Sequence, residues 1–131
     1  AQTMKENRNG HIINISSIAG KDIYQGGNVY CATKAAVESI TKAMRIDLLE
    51  YNIKVSSIAP GMVNTNFSTV RFHGDEARAQ KVYEGVKPLS ADDVASAIEF
   101  IVTRPDHVCV NDLLLMPTQQ ASANHLNRTK E

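Results

Sequence analysis

Residues 11–34 read His11-Ile12-Ile13-Asn14-Ile15-Ser16-Ser17, then a loop carrying Gly20, Gly26 and Gly27, then Asn28-Val29-Tyr30-Cys31-Ala32-Thr33-Lys34. The first run is β-branched and nearly unbroken, the pattern of a short buried strand. After the glycines the period changes. Val37, Ile40, Met44 and Leu48 recur at spacings of three and four with charges between them, which predicts a helix over about 28–49. Tyr30 and Lys34 lie four positions apart, so on a helix they share one face. Ser17 stands at the strand's carboxyl end, thirteen positions before Tyr30. A phenol, an ammonium and a hydroxyl brought together make a proton-handling site. A free phenol titrates near ~10, an adjacent ammonium favours its ionised form, and acid–base catalysis wants a group tuned towards the working pH. A Tyr and a Lys four apart on a helix also arise by chance, so the surroundings decide.

Downstream, Lys54 to Ala59 reads as a second strand closed by Pro60-Gly61, with a loop following to about Val70. Residues 71–85 are weakly helical at best. Ser90-Ala91-Asp92-Asp93 fits a capping box with Ser90 as N-cap. Val94, Ala95, Ile98, Ile101 and Val102 then mark one apolar helix face, which Arg104-Pro105 ends. Asp112 to Met116, with Leu113-Leu114-Leu115, reads as a third buried strand, and the tail from Thr118 as polar and irregular. Upstream, Ala1 to Asn9 look like the end of a helix, with Gly10 as its stop signal. Continuous apolar strands separated by helices predict an α/β fold with a parallel sheet and right-handed crossovers. Ligands of such sheets bind beyond the carboxyl ends of the strands. Ser17, Pro60-Gly61 and the start of the Tyr30 helix all fall on that side. The small residues Ala32, Ala35 and Ala36 suit either packing against the sheet or contact with a second copy of the chain.

At 131 residues, 43% apolar and 21% charged, the chain has the balance of a single globular domain. Fourteen basic and fourteen acidic residues cancel, so no basic stripe points to nucleic acid. No apolar run is long enough to span a bilayer, and no signal-peptide pattern is present at the start. Cys31 and Cys109 have no metal-ligand spacing and are expected to be reduced, buried thiols of a cytoplasmic protein. His11, His73, His107 and His125 are scattered, and surface or loop positions are expected for them; no metal site is expected.

Ile13-Asn14-Ile15-Ser16-Ser17, Tyr30-Cys31-Ala32-Thr33-Lys34-Ala35-Ala36 and Pro60-Gly61-Met62-Val63-Asn64-Thr65 together resemble the short-chain dehydrogenases/reductases. A finer likeness lies in Val70-Arg71-Phe72-x-Gly74-Asp75, Ala91-Asp92-Asp93-Val94 and Met116-Pro117-Thr118-x-Gln120. These look like the branch of NADP-dependent 3-hydroxy acid, or serine-type, dehydrogenases. The resemblance implies that Tyr30 is the general acid/base and that Lys34 tunes it and binds the nicotinamide ribose. It implies that Ser17 holds the substrate oxygen. Tyr30, Lys34, Pro60, Gly61, Val63 and Thr65 would contact the cofactor, NADP, with NAD also open. Arg71 would take the substrate carboxylate, since a guanidinium forks well onto carboxylate. A homo-oligomer acting on a small hydroxy acid is expected.

The likeness covers the C-terminal half of a Rossmann-like doubly wound parallel sheet, three strands with flanking helices. Residues 1–131 are expected to form a single partial domain, the catalytic and substrate half. The glycine-rich phosphate loop, the Asn-Asn-Ala-Gly motif and the residue selecting between the two cofactors are not found in it. An open edge on the His11–Ile15 strand and self-association are expected. Without that cofactor-holding half, the isolated chain is expected to be inactive. Two other functions stay open: a non-catalytic fragment or interaction module, and a reductase of the same family acting on a neutral carbonyl.

Overall fold

The computed structural model describes residues 1–129. Its sheet has three parallel strands, β1 (Gly10–Ile15), β2 (Ile53–Pro60) and β3 (Asp112–Leu115), in the order β1-β2-β3. Gly10 pairs with Ile53 and Ile15 with Ile58, while Ser57 pairs with Asp112 and Pro60 with Leu115. The central strand is the most enclosed, as in parallel sheets generally: Val55, Ile58 and Ala59 are wholly buried. The expected strands are all present, with bounds shifted by one residue.

Alternation along the strands divides the sheet into two faces. Ile12, Asn14, Val55 and Ser57 face the long helix α2 (Asn28–Asp47), while α1 (Gln2–Asn7) packs beside β1. Leu48, Ile53 and Val55 form the apolar centre there, with Met4, Ile12, Met44 and Tyr51 packed against it. Each fully buried aliphatic side chain contributes about 1.5–3 kcal/mol. On the other face lie His11, Ser56 and Ile58, and α5 (Ala91–Val102) covers β2 with Ile101 fully buried. Two short helices, α3 (Phe67–Arg71) and α4 (Glu76–Lys81), occupy the connection between β2 and α5.

Several local expectations need correction. The α2 helix buries Cys31, Glu38 and Thr41, with Leu48 buried at its C-cap, and leaves Ile40 55% exposed. The reason is polar pairing: Asn14 Nδ2 donates to Thr41 Oγ1 at 2.9 Å and Ser57 Oγ donates to Glu38 Oε1 at 2.9 Å. The sheet offers polar partners, so the helix turns its polar residues towards them. Ala32, Ala35 and Ala36 point to solvent, which removes packing on the sheet as their role. In α5, Ala95 and Val102 are exposed, and the buried contribution is Ile101. Residues 67–81, expected as loop and weak helix, hold α3 and α4, the second capped by Asp75, which accepts from Arg78 N at 3.0 Å. Arg8, not Gly10, takes the left-handed conformation after α1, with φ 49°. Gly10 is needed for space, since a Cβ there would meet the Met4 side chain at 2.6 Å. Cys109 is exposed, and His11 lies within β1 with its Nε2 2.7 Å from Ser56 Oγ.

The capping box forms as expected: Ser90 Oγ accepts from Asp93 N and Asp93 Oδ2 accepts from Ser90 N. Among the described residues β1 pairs only with β2, and Ile15 at that edge is 48% exposed. The stretch from Thr118 to Thr129 holds no helix or strand, yet it is tied down. Ala123 N donates to Asp22 Oδ2 at 3.0 Å, and Asn124 Nδ2 to Ile23 O at 2.8 Å. Lys130 and Glu131 of the expected irregular tail lie outside the described residues.

Candidate active site

Beyond the carboxyl ends of β1 and β2 opens a cavity of about 540 Å³. Ser17, Tyr30, Lys34, Pro60, Gly61, Val63, Thr65 and Arg71, the residues singled out from the sequence, all line it. Four elements deliver them. The end of β1 delivers Ser17, the first turns of α2 deliver Tyr30 and Lys34, and the end of β2 with α3 delivers the rest.

Ser17 caps the short 3-10 turn Ile18–Gly20, its Oγ accepting from Ala19 N at 3.1 Å. That bond leaves the serine's own O–H free to donate into the cavity. Gly20 lets this turn lie against α2, because a Cβ there would be 2.7 Å from the Lys34 carbonyl. Tyr30 packs its ring against Phe67, with centroids 5.6 Å apart. Lys34 Nζ lies 5.8 Å from the Tyr30 ring centroid and donates to Ile15 O at 3.1 Å. An ammonium has three donors, so two remain for a ligand. Thr65 Oγ1 accepts from Phe67 N at 3.3 Å, so this hydroxyl caps its own loop.

The next turn of the same helix face carries Glu38, only 6% exposed. Its carboxylate receives Lys21 Nζ at 3.0 Å and Ser57 Oγ at 2.9 Å. Burial pushes the carboxyl pKa up, but hydrogen bonds from Ser16, Lys21 and Ser57 outweigh it and hold the group below its ordinary value. Lys21 also lies 3.9 Å from Asp112 of β3. This network ties the serine turn, α2 and the sheet together directly behind Lys34.

Two residues distant in sequence hold the Pro60–Val63 loop, a role that their own sequence context does not reveal. Gln120, buried, accepts from Met62 N at 2.8 Å and packs so closely on Gly61 that no Cβ fits. Tyr83 Oη donates to Val63 O at 2.9 Å and lies 2.8 Å from Ser68 Oγ, linking α3 to that loop. Gly61 N and Asn64 N donate to Leu115 O and Leu89 O. Val63 N–H has no hydrogen-bond partner among the described residues, and Val63 lines the cavity. No periodicity marks Gln120 or Tyr83, since both act from irregular segments distant in sequence.

A family model described as short chain dehydrogenase matches residues 1–76, more than half of the chain. The chain belongs to the short chain dehydrogenase family. It is 44% identical over 119 residues to an NADP-dependent 3-hydroxy acid dehydrogenase of Schizosaccharomyces pombe, covering 91% of this chain and 46% of the relative. It is 46% identical over 121 residues to an enzyme of the same description from Escherichia coli, covering 92% and 49%. The structure superposes on a closed serine dehydrogenase complexed with NADP+ at a TM-score of 0.90 and 44% identity, covering 99% of this chain and 52% of that one. A serine dehydrogenase from Escherichia coli superposes at a TM-score of 0.72 and 37% identity, covering 92% and 45%. The chain thus spans about half the length of the relatives it matches.

Proposed function

We propose that this chain supplies the catalytic and substrate half of an NADP-dependent dehydrogenase acting on the hydroxyl of a small 3-hydroxy acid. The observation that carries the reading is one cavity shared by Ser17, Tyr30, Lys34 and a cationic Arg71. The named activities of the 44–46% identical relatives support it.

The donor set fits the nicotinamide end of the cofactor. Lys34 would hold the ribose hydroxyls with its two remaining donors, and the free Val63 N–H would take the carboxamide oxygen. Gly61 and Pro60 would give a flat wall for the ring. When bound, NADP supplies the hydride acceptor.

The protein's own groups move the proton. Tyr30 Oη accepts it from the substrate's 3-hydroxyl as that carbon is oxidised to a carbonyl. Ser17 O–H donates to the same oxygen, steadied by Ala19 N–H. The Lys34 ammonium faces the charge that the tyrosine oxygen gains and loses through the cycle. Phe67 packs against the Tyr30 ring and steadies its orientation. Arg71 holds the carboxylate, setting which carbon reaches Tyr30. In the reverse direction the same groups return the proton to the carbonyl oxygen.

The assay is NADP+ reduction by the complete enzyme carrying this half, followed by the absorbance of the reduced nicotinamide, with 3-hydroxy acids as substrates. Turnover supports the reading. Turnover of neutral alcohols with no turnover of any 3-hydroxy acid would overturn it.

A further inference from the structure

The loop between Ser17 and Tyr30 brings a second phenol to the cavity, Tyr24, for which the roles above have no use. Arg71 Nη1 donates to Tyr24 Oη at 3.3 Å. The guanidinium carbon lies 5.8, 6.0 and 5.7 Å from the ring centroids of Tyr24, Tyr30 and Phe72. Three aromatic rings therefore surround one planar cation, an arrangement that attracts and orients it. Arg71 forms no ion pair with a carboxylate among the described residues. Gly27 makes the arrangement possible, since a Cβ there would sit 2.6 Å from the Tyr24 ring.

The hydrogen-bond chemistry then has a direction. A phenol oxygen that accepts from a guanidinium keeps its own O–H to give away. Arg71 and Tyr24 can thus each offer a donor to the same anionic group, one charged and one neutral. Because rings hold the guanidinium, a ligand that binds it loses less side-chain freedom than one that must order a free arginine. The guanidinium carbon lies 6.0 Å from the Tyr30 ring centroid, so the cation and the proton-handling phenol stand within reach of one small molecule.

We propose that Tyr24 is a specificity-determining residue that completes, with Arg71, a two-residue carboxylate cradle selecting short hydroxy acids over neutral alcohols. This rests on the dehydrogenase reading above and names the part of the site that chooses the substrate class. Tyr24→Phe keeps the ring around the guanidinium and removes only the hydroxyl.

The test uses the complete enzyme of which this chain is the catalytic half, saturated with NADP+ and oxidising 3-hydroxybutyrate, with butyrate and its neutral isostere butyramide as competitive inhibitors. In Tyr24→Phe the preference for butyrate over butyramide falls about tenfold, the effect of one hydrogen bond to a charged group. KM for 3-hydroxybutyrate rises by a similar factor. A role limited to structure moves both inhibition constants equally, and that result overturns the assignment of Tyr24 while leaving the dehydrogenase reading intact. Arg71→Lys, which keeps the charge and loses the planar fork, lowers the same preference. Combined with Tyr24→Phe it costs less than the product of the two single effects, whereas a full product refutes a shared cradle. Absence of 3-hydroxybutyrate turnover in the wild-type protein, with neutral alcohols oxidised instead, overturns the dehydrogenase reading for acids and the cradle with it.

Discussion

Replacing Glu38 by alanine removes the acceptor at the centre of the network behind the site, and the cost follows from what each partner loses. Ser57 is wholly buried, so its hydroxyl is left without its partner, at about 1–3 kcal/mol. The lost Glu38 Cγ methylene adds about 1 kcal/mol of burial. Lys21, with 29% of its side chain accessible, recovers water and adds little. The sum is about 3 kcal/mol, at the low end for breaking a buried ion pair. For a domain of this size that corresponds to a drop in Tm of about 10 °C. The pH dependence has a definite sign. The folded-state pKa of Glu38 is depressed, so its stabilisation is complete above the ordinary value of 4.5 and is lost as pH falls through the lowered one. Thermal unfolding followed by circular dichroism at neutral and acid pH measures both effects. A loss under about 1 kcal/mol at neutral pH, or a wild-type advantage that persists undiminished in acid, refutes the reasoning.

Gly61→Ala drives a methyl group into Gln120 Oε1 and to 2.9 Å from Met116 Sδ; overpacking of this kind costs about 1–3 kcal/mol. Chemical denaturation should show that loss, and KM for NADP should rise as the Met62–Gln120 bond is displaced. His11 is pushed below its ordinary pKa of 6.5 by burial and by the nearby Lys54 charge. Its neutral form therefore stabilises the fold above 6.5, and that part is lost as pH falls through the lowered value. His11→Gln should flatten the wild-type stability profile in that window, and an unchanged slope would assign the pH dependence elsewhere. Tyr83→Phe cuts the link between Ser68 of α3 and the Val63 carbonyl, so hydrogen exchange of the residue 67–71 amides should speed up several-fold; unchanged exchange would show that the link does not hold α3.

Residues 11–34 disclosed the strand, the crossover helix and three catalytic candidates because each rests on a short-range signal: β-branched burial, helical spacing, and glycines between them. The capping box at Ser90 was legible for the same reason, since its two bonds join residues three apart. The rotation of α2 was not legible. Apolar spacing pointed Ile40 inward, yet Asn14 and Ser57, distant in sequence, pull Thr41 and Glu38 to the sheet. Hydrophobic pattern cannot show that a buried face has polar partners supplied by another strand. The roles of Gln120, Tyr83 and Tyr24 were not legible for a related reason. Each is defined by a partner on a separate loop, such as Met62 for Gln120 and Arg71 for Tyr24. Ser17, Tyr30 and Arg71 were found individually, but the shared cavity is a property of the folded chain alone.

The central claim is that Tyr30 transfers the proton at a site built by Ser17 and Lys34. The most direct test is single-turnover oxidation of 3-hydroxybutyrate by Tyr30→Phe protein saturated with NADP+. The ring and its contact with Phe67 remain, and only the hydroxyl is lost. The hydride-transfer rate should fall about 10²–10⁴-fold, with NADP+ binding and Tm nearly unchanged. A Tyr30→Phe rate within a few-fold of wild type would contradict it.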